Sequence, residues 1–167
     1  MKVIGVDVGL RTTGYVVCEV HNSYIELCDN GQITTVTSSA LSQRVHRIYQ
    51  GLVDVIERYR PGALILEKLY SHYKHPVTLG VLAQVRGAVV VLVEQYGLQL
   101  HEFSPTRARK ALLGRGGARA PQVKKMVENM LSRKIKSQHI ADAFSLVVAF
   151  AHTQKNRRLS ELRTVKV

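Results

Sequence analysis

Residues 3–17 read Val-Ile-Gly-Val-Asp-Val-Gly-Leu-Arg-Thr-Thr-Gly-Tyr-Val-Val: an apolar run, a carboxylate, a polar turn and a second apolar run. The pattern predicts two strands joined by a turn, with Asp7 at the end of the first strand. A carboxylate at the tip of a buried strand needs a partner, and a metal ion is a common one. Asp7 is therefore either the first ligand of a metal site or a cap for backbone N–H groups of the turn.

The length and composition fit one globular domain, since the chain has 167 residues of which 46% are hydrophobic. We expect residues 1–153 to form this domain and residues 154–167 to be a basic, flexible tail. No uncharged apolar run approaches the ~18 residues of a membrane helix, and charged residues interrupt the N-terminal apolar run. We therefore expect neither a membrane span nor a signal peptide. Cys18 and Cys28 are predicted to be free core thiols of a cytoplasmic protein.

Positive charge is concentrated in two regions of the chain. The whole sequence holds 24 Lys and Arg against 12 Asp and Glu, a net charge of +12. Residues 104–137 carry +9, residues 154–167 carry +4, and the remainder carries −1. Such a regional excess indicates a surface that binds a polyanion, although a solvated charged face would leave the same signal.

The spacing of apolar residues predicts an α/β fold. A meander of three antiparallel strands comes first, and the third strand is expected to break at Asp29-Asn30-Gly31. A strand, a long helix and a further strand then form a right-handed parallel crossover. The result is a three-layer domain with a five-stranded mixed sheet flanked by helices. The predicted strands are 2–7, 15–20, 24–27 with 32–36, 63–66 and 98–103, and the predicted helices are 41–60, 77–96, 105–113, 121–131 and 137–153.

Four side chains of this fold are candidates for one metal centre. Glu67 directly follows the fourth strand, so it emerges beside Asp7 if the first and fourth strands are neighbours. Asp142 and His139 are three residues apart on the last helix, which places both on one face. Close carboxylates repel unless cations hold them, and such a cluster suits two ions ~3.5–4 Å apart acting on a phosphodiester. Each residue alone would more often be structural, and their conjunction carries the prediction.

Four motifs extend this interpretation to a family. They are Ile-Gly-Val-Asp-Val-Gly at 4–9 with Thr-Gly-Tyr at 13–15, Leu-Ile-Leu-Glu at 64–67, Gln-Val-Arg-Gly at 84–87 and His-Ile-Ala-Asp-Ala at 139–143. In this order and spacing the sequence resembles the RuvC-type Holliday-junction resolvases of the RNase H-like nuclease superfamily. The likeness covers residues 1–153. Val8 departs from the usual proline, and His139 stands where many members have aspartate.

The resemblance implies a structure-selective DNA endonuclease of recombination and repair. It implies a homodimer that nicks four-way junctions symmetrically by two-metal-ion hydrolysis, and it admits a branch-migration motor complex as a partner. Asp7, Glu67, His139 and Asp142 would be the catalytic residues and would hold two Mg²⁺ or Mn²⁺ ions. An imidazole ligand at His139 favours Mn²⁺ and predicts a steep loss of cleavage on the acid side. Thr13 or Arg11 is expected to contact and orient the metal-binding side chains without binding the metal itself.

DNA contacts are predicted in the basic region and in the loop after Glu67. Family members use lysines in this region, and Arg109 falls on one such position while Ala120 occupies the other. Tyr70 matches an aromatic residue that contacts bases, although it could instead pack under its loop. The predicted DNA-binding residues are Tyr70, Arg107, Arg109, Lys110, Arg115, Arg119, Lys124 and Lys125.

Three points stay open at the level of sequence. The small residues of the long helix, Gly80, Ala83, Gly87 and Ala88, suit either a dimer interface or packing within one subunit. A related RNase H-like nuclease of the YqgF rRNA-processing type would have similarly placed acids. A non-catalytic nucleic-acid-binding member is the third reading, because a change such as His139 also occurs in decaying sites. An actin-like ATPase is disfavoured, since 167 residues are too few for two lobes.

Overall fold

The computed structural model describes residues 1–69 and 76–164, with side chains described as far as residue 156. Five strands and five helices lie within the described residues. The strands are β1 (Lys2–Asp7), β2 (Thr12–Val20), β3 (Ile25–Thr34), β4 (Ala63–Glu67) and β5 (Gln99–Phe103). The helices are α1 (Leu41–Tyr59), α2 (Pro76–Tyr96), α3 (Pro105–Leu113), α4 (Ala120–Leu131) and α5 (Gln138–Thr164).

The strands form one mixed sheet in the order β3-β2-β1-β4-β5. β1 pairs with β2 antiparallel and with β4 parallel, and β4 pairs with β5 parallel. In the parallel pair Val6 lies opposite Leu66, so the next residues, Asp7 and Glu67, emerge together at one edge. This confirms the predicted three-layer α/β domain and the predicted neighbourhood of the first and fourth strands.

Two apolar cores cover the two faces of the sheet. Side chains of β4 alternate between them, since Ile65 packs with α3, α4 and α5 whereas Leu64 and Leu66 pack with α1 and α2. Alternation with period two is the geometry of any strand, and β4 is apolar throughout because both of its faces are covered. The central strands are therefore fixed by burial on both sides.

The third strand departs from the prediction. It runs unbroken from Ile25 to Thr34, so the expected turn at Asp29-Asn30-Gly31 is wrong. A β-bulge leaves Cys28 unpaired, and this residue is exposed, so only Cys18 is a free core thiol. The glycine of the segment is needed for packing rather than for turning, because a Cβ at Gly31 would come within 2.6 Å of the Tyr15 hydroxyl.

Helix α5 is longer than predicted, since it continues past residue 153 to Thr164. The prediction ended the helix where its apolar pattern ends. Residues 154–163 contain neither glycine nor proline, so nothing in the sequence stops the helical backbone. The loss of apolar residues marks the point where α5 leaves the core.

Helix α2 is long and apolar enough to cross a membrane, which the sequence prediction did not anticipate. Such a helix is weak evidence for a membrane protein. Val85, Val89 and Leu92 pack it against the sheet in the core shared with α1, and Arg86 forms an ion pair with Glu102 at the end of β5. We therefore interpret α2 as a layer of the globular domain with an apolar outer face.

Two glycines let α5 lie directly on the sheet. A Cβ at Gly5 would come within 2.6 Å of the Ala143 carbonyl oxygen, and a Cβ at Gly14 within 2.4 Å of the His139 carbonyl carbon. Gly14 pairs with Asp7 across the β1–β2 ladder. The close approach therefore determines how far the side chains of α5 stand from the end of β1.

We expect Gly5→Ala to lower the free energy of unfolding by about 1–3 kcal/mol, because α5 must move away from the sheet to admit the methyl group. Thermal and denaturant unfolding would measure the loss. Gly117→Ala is the matched control, because a Cβ at Gly117 meets nothing within 4 Å. Equal stabilities of the two variants would contradict the role given to Gly5.

Candidate active site

Asp7 and His139 meet at the carboxyl end of β1. The His139 ring donates from Nδ1 to Asp7 Oδ2 over 2.6 Å, with 43% of the histidine side chain and 17% of the aspartate side chain exposed. This hydrogen bond raises the pKa of His139, while burial opposes the rise. Residues 132 positions apart in the chain are thus brought into contact as the sequence analysis predicted.

Glu67 and Asp142 complete a cluster of three carboxylates. Burial, followed by the charges of Asp7 and Asp142, raises the pKa of Glu67 to about 7. Burial also raises the pKa of Asp142, and the charge of Asp7 adds to this effect. Burial and a neighbouring negative charge thus disfavour the ionisation of Glu67 and Asp142, which is the electrostatic signature of a site that a cation would neutralise.

Further polar side chains hold the site in place. Gln138 donates from Nε2 to Asp142 Oδ1 over 3.1 Å, and its position four residues earlier on α5 was the available signal, which the sequence analysis missed. Thr13 is fully buried, and its hydroxyl donates to the Gly9 carbonyl over 2.8 Å. Of the two residues expected to support the site, Thr13 therefore fixes the turn after Asp7, whereas Arg11 is exposed.

A narrow opening beside Asp7 and Glu67, here called the catalytic cleft, is also lined by Val8, Leu82 and Arg86. Arg86 belongs to the Gln-Val-Arg-Gly motif, but the sequence analysis did not predict it as a residue of the site. Its ion pair with Glu102 leaves 12% of the arginine side chain exposed. A guanidinium fixed at the wall of a carboxylate cluster is suited to a phosphate group entering the cleft.

The donor set fits hard divalent cations, because carboxylate oxygens dominate it and one imidazole is added. The raised pKa values of Glu67 and Asp142 support the fit, since a bound cation would favour the charged forms of both side chains. Among residues 1–69 and 76–164, no three such side chains already converge at ligating distances. The Asp7–His139 hydrogen bond occupies lone pairs that a cation would use, so binding would exchange that bond for ligation.

The predicted DNA-binding residues separate into different places. Arg109 lies near the carboxylates, where its positive charge opposes part of the rise in the pKa values of Glu67 and Asp142. Arg107 instead donates to the Thr153 hydroxyl over 3.2 Å and lies over the Phe103 ring. Lys110, Arg115, Arg119 and Lys125 are exposed on α3, α4 and their connection, Lys124 is half-buried there, and Tyr70 lies outside the described residues.

Arg107 is therefore remote from the catalytic cluster. Thr153 stands eleven residues after Asp142 on α5, which is about 16 Å along the helix axis. A single strand of DNA lying on the carboxylates would reach Arg109 first. The structure thus supports a phosphate contact for Arg109 more directly than for Arg107.

Comparison with known proteins assigns the chain to a family. The family model described as "Crossover junction endodeoxyribonuclease RuvC" matches residues 3–152. The chain belongs to the RuvC family of crossover junction endodeoxyribonucleases. The RuvC protein of Geobacter sulfurreducens is 35% identical over 99% of this chain and 100% of the relative. That of Caldanaerobacter subterraneus subsp. tengcongensis is 33% identical over 97% and 98%.

A solved structure of a RuvC protein gives the same result. Thermus thermophilus RuvC in complex with a Holliday junction substrate superposes with a TM-score of 0.85 and 26% identity, covering 93% of this chain and 96% of that one. The predicted family, the RNase H-like fold and the class of metal-dependent endodeoxyribonuclease are confirmed. The roles of single residues stay predictions.

Without divalent ions the cluster should make stability depend on pH. The pKa of Glu67 rises from 4.5 to about 7, so between these values the folded state keeps a proton that the unfolded state releases. Raising the pH across this range therefore favours unfolding, and the raised pKa values of Asp142 and His139 act in the same direction.

We expect Glu67→Gln to remove the Glu67 part of this dependence and to be more stable than the parent near pH 8 in chelator, by on the order of 1–3 kcal/mol. Denaturant unfolding at several pH values would measure it. Added Mg²⁺ should stabilise the parent more than the variant. The exposed carboxylate of Glu94 supplies the control, Glu94→Gln, and a Glu67→Gln curve parallel to the parental one would refute the expectation.

Proposed function

We propose that this chain resolves four-way DNA junctions by metal-dependent hydrolysis of phosphodiesters. One observation carries the proposal: the chain of a RuvC family member gathers three carboxylates and His139 at one sheet edge, where burial and the charge of Asp7 raise the pKa values of Glu67 and Asp142. Residues 104–137 carry a charge of +9 and include Arg109 beside the carboxylates, so they supply attraction for a polyanion.

Each residue of the cluster has a distinct part. Asp7 contacts His139 and influences both other carboxylates, so it would be a central ligand of the bound cations. Glu67 and Asp142 would be further ligands, and Gln138 orients Asp142 by a hydrogen bond. Bound Mg²⁺ or Mn²⁺ ions supply the polarisation of water and the stabilisation of the leaving oxygen.

The remaining side chains manage charge and protons around the phosphodiester. Arg109, near Glu67 and Asp142, holds a phosphate of the strand against the cluster. His139 would have to be neutral to act as a ligand, so its protonation state would affect whether the site can bind a cation. The use of two ions, and of Mg²⁺ or Mn²⁺ in particular, is part of the proposal.

A homodimer would place two such sites on one junction, and α2 is the element that supports it. Gly80, Ala83 and Gly87 are exposed on this helix, and so is Val91, of which 57% is exposed. Small residues on an apolar face let a second helix approach closely, and exposed apolar patches mark protein interfaces. Stacking by Tyr70, a branch-migration motor as partner and a cytoplasmic location stay predictions from the sequence.

The proposed function is tested by incubating a synthetic four-way junction with the chain and Mg²⁺ or Mn²⁺. We expect paired symmetrical nicks from the parent, and a loss of at least about a hundredfold in Asp7→Asn with junction binding retained. A duplex of the same sequence is the control substrate. Cleavage of precursor rRNA instead would favour the YqgF-type activity, and binding without cleavage would favour a non-catalytic member.

Replacing the histidine should change the pH profile. The Asp7 hydrogen bond raises the pKa of His139, so the ring keeps its proton, and cannot ligate, at a higher pH than a free imidazole would. We expect His139→Asp to extend cleavage to lower pH and to reduce the advantage of Mn²⁺ over Mg²⁺. Rates against pH would show this, with His46→Asp on the exposed face of α1 as control. An unchanged acid limb would contradict ligation by His139.

The dimer is tested on α2. A Cβ at Gly87 meets nothing within 4 Å, so Gly87→Leu adds bulk to the outer face without a clash inside the subunit. We expect this variant to be monomeric in sedimentation and to unfold at the parental temperature or above, because glycine costs about 1 kcal/mol in a helix. Gly117→Leu, also in open space, should leave the oligomeric state unchanged. If Gly87→Leu still formed a dimer, this face of α2 would be excluded as the dimer interface.

A further inference from the structure

A second opening adjoins the catalytic cleft and has no role in the function described so far. This opening, here called the turn cleft, has a volume of about 510 Å³ and lies between the β1–β2 turn, α1 and the first half of α2. Val8 and Leu82 line both clefts. The two openings are therefore neighbours, and the surface they line together, here called the groove, extends from Asp7 and Glu67 past Val8 to Arg44.

Arg44 is a buried cation at the far end of this groove, with 9% of the residue exposed. Its Nε donates to the Thr35 hydroxyl over 3.0 Å, and one terminal nitrogen donates to the Leu10 carbonyl over 3.4 Å. Both acceptors are neutral, and no carboxylate of the described residues forms an ion pair with Arg44. A buried charge without a counter-ion is costly, and a guanidinium has five N–H donors, so an anion would be stabilised here.

The other features of the turn cleft restrict the anion to a nucleotide. Arg11 is exposed on the same opening and adds a second positive charge. Val8, Leu10 and Val81 form an apolar wall, which suits a sugar or base rather than a bare inorganic ion. A nucleotide combines a phosphate with such an apolar surface.

The position of the cleft selects the strand to which this nucleotide belongs. Leu10, whose carbonyl holds Arg44, is three residues from Asp7, a separation of at most about 11 Å along the chain. A few nucleotides of the strand held at the carboxylates cover that distance. We propose that the turn cleft binds a nucleotide of the cut strand close to the scissile phosphate, with Arg44 and Arg11 contacting its phosphate.

This proposal rests on the proposed nuclease function, and it assigns Arg11 and Arg44 a contact that the carboxylate cluster does not require. It also explains why a charged side chain is buried beside the turn that follows Asp7. A purely structural Arg44 would hold that turn equally well with an empty cleft. A change in stability would therefore not distinguish the two roles, whereas the dependence of binding on a single phosphate would.

The experiment uses junctions that carry one uncharged methylphosphonate at each successive phosphate on both sides of the cleavage point. Binding is measured in the Asp7→Asn background, which avoids cleavage, alone and combined with Arg11→Ala or Arg44→Lys. We expect one substituted position to weaken binding about three- to tenfold in the background protein, and to have no further effect once Arg11 is removed. Arg44→Lys keeps the charge but not the fork of donors, so it should show a partial effect at the same position.

Arg58→Ala is the matched control, because it removes an exposed arginine from the other end of α1. This variant should keep the full sensitivity to the methylphosphonate at the position that couples to Arg11. The dependence of binding on salt supplies a second readout, and its log-log slope should fall by about 0.7–0.9 in Arg11→Ala and at the substituted position alike. Thermal unfolding of each variant separates loss of contact from loss of fold.

The two possible failures give different results. If each methylphosphonate weakened binding equally in the background protein, in Arg11→Ala and in Arg44→Lys, the nucleotide site in the turn cleft would be excluded. Continued cleavage of junctions by the parent would show that the proposed function still holds. Absence of both cleavage and junction preference in the parent would instead overturn the proposed function. A coupled position more than about four nucleotides from the cleavage point would also exclude the turn cleft, because the groove is too short to reach it.

Discussion

The contact of α5 with the backbone of β1 and β2 is the constraint on which the rest of the molecule depends. Side chains at Gly5 or Gly14 would overlap Ala143 and His139, so the helix lies directly on the sheet only because both residues lack a Cβ. The same contact buries the apolar body of α5 and allows α3 and α4 to pack against it. It also brings the first turn of α5 to the end of β1. The core and the site are therefore built by one packing arrangement.

The carboxylate cluster is the cost of this arrangement. The close packing of α5 on the sheet places Asp142 and Glu67 in partly buried positions near Asp7, where the pKa values of Asp142 and Glu67 are raised. A protein selected only for stability would replace one of them by an uncharged residue. Ionisable side chains at these positions suit a ligand that favours the charged forms. The Asp7–His139 bond and the amide of Gln138 offset part of the repulsion when no cation is bound.

The sequence predicted those features that follow from local pattern and strand order. β1 and β4 were found from their apolar runs, and the predicted start of α3 at residue 105 is confirmed; there the Ser104 hydroxyl accepts a hydrogen bond from the Arg107 amide. Features set by tertiary contact were missed. The turn signal at residues 29–31 was overridden because Tyr15 packs on Gly31, and the end of α5 was misplaced because a helix leaving the core loses its pattern without losing its backbone.

The same distinction between local pattern and tertiary contact separates the residues that could be predicted from those that could not. The proximity of the four candidate metal ligands could be predicted because each follows a strand end or shares a helix face, whereas their roles stay predictions. Arg107 and Arg109 are two residues apart in one basic run, yet one lies toward Thr153 and the other toward the carboxylates. Composition cannot separate them, because it does not record which side of α3 faces α5. Arg44 and Gln138 gave no compositional signal at all.

Helix α2 would connect the carboxylate cluster to the second subunit of the proposed dimer. Its buried residues, Val85, Val89 and Leu92, all lie in its later part, so its described first turns are held to the subunit by partly exposed side chains alone. Those first turns supply Leu82, which lines both clefts. A partner helix against Gly80, Ala83 and Gly87 would therefore fix a wall of the substrate groove as well as the spacing of the two sites. Dimerisation and the shape of each active site would then be set by one interface, and a chain unable to form it would lose cleavage more than it loses stability.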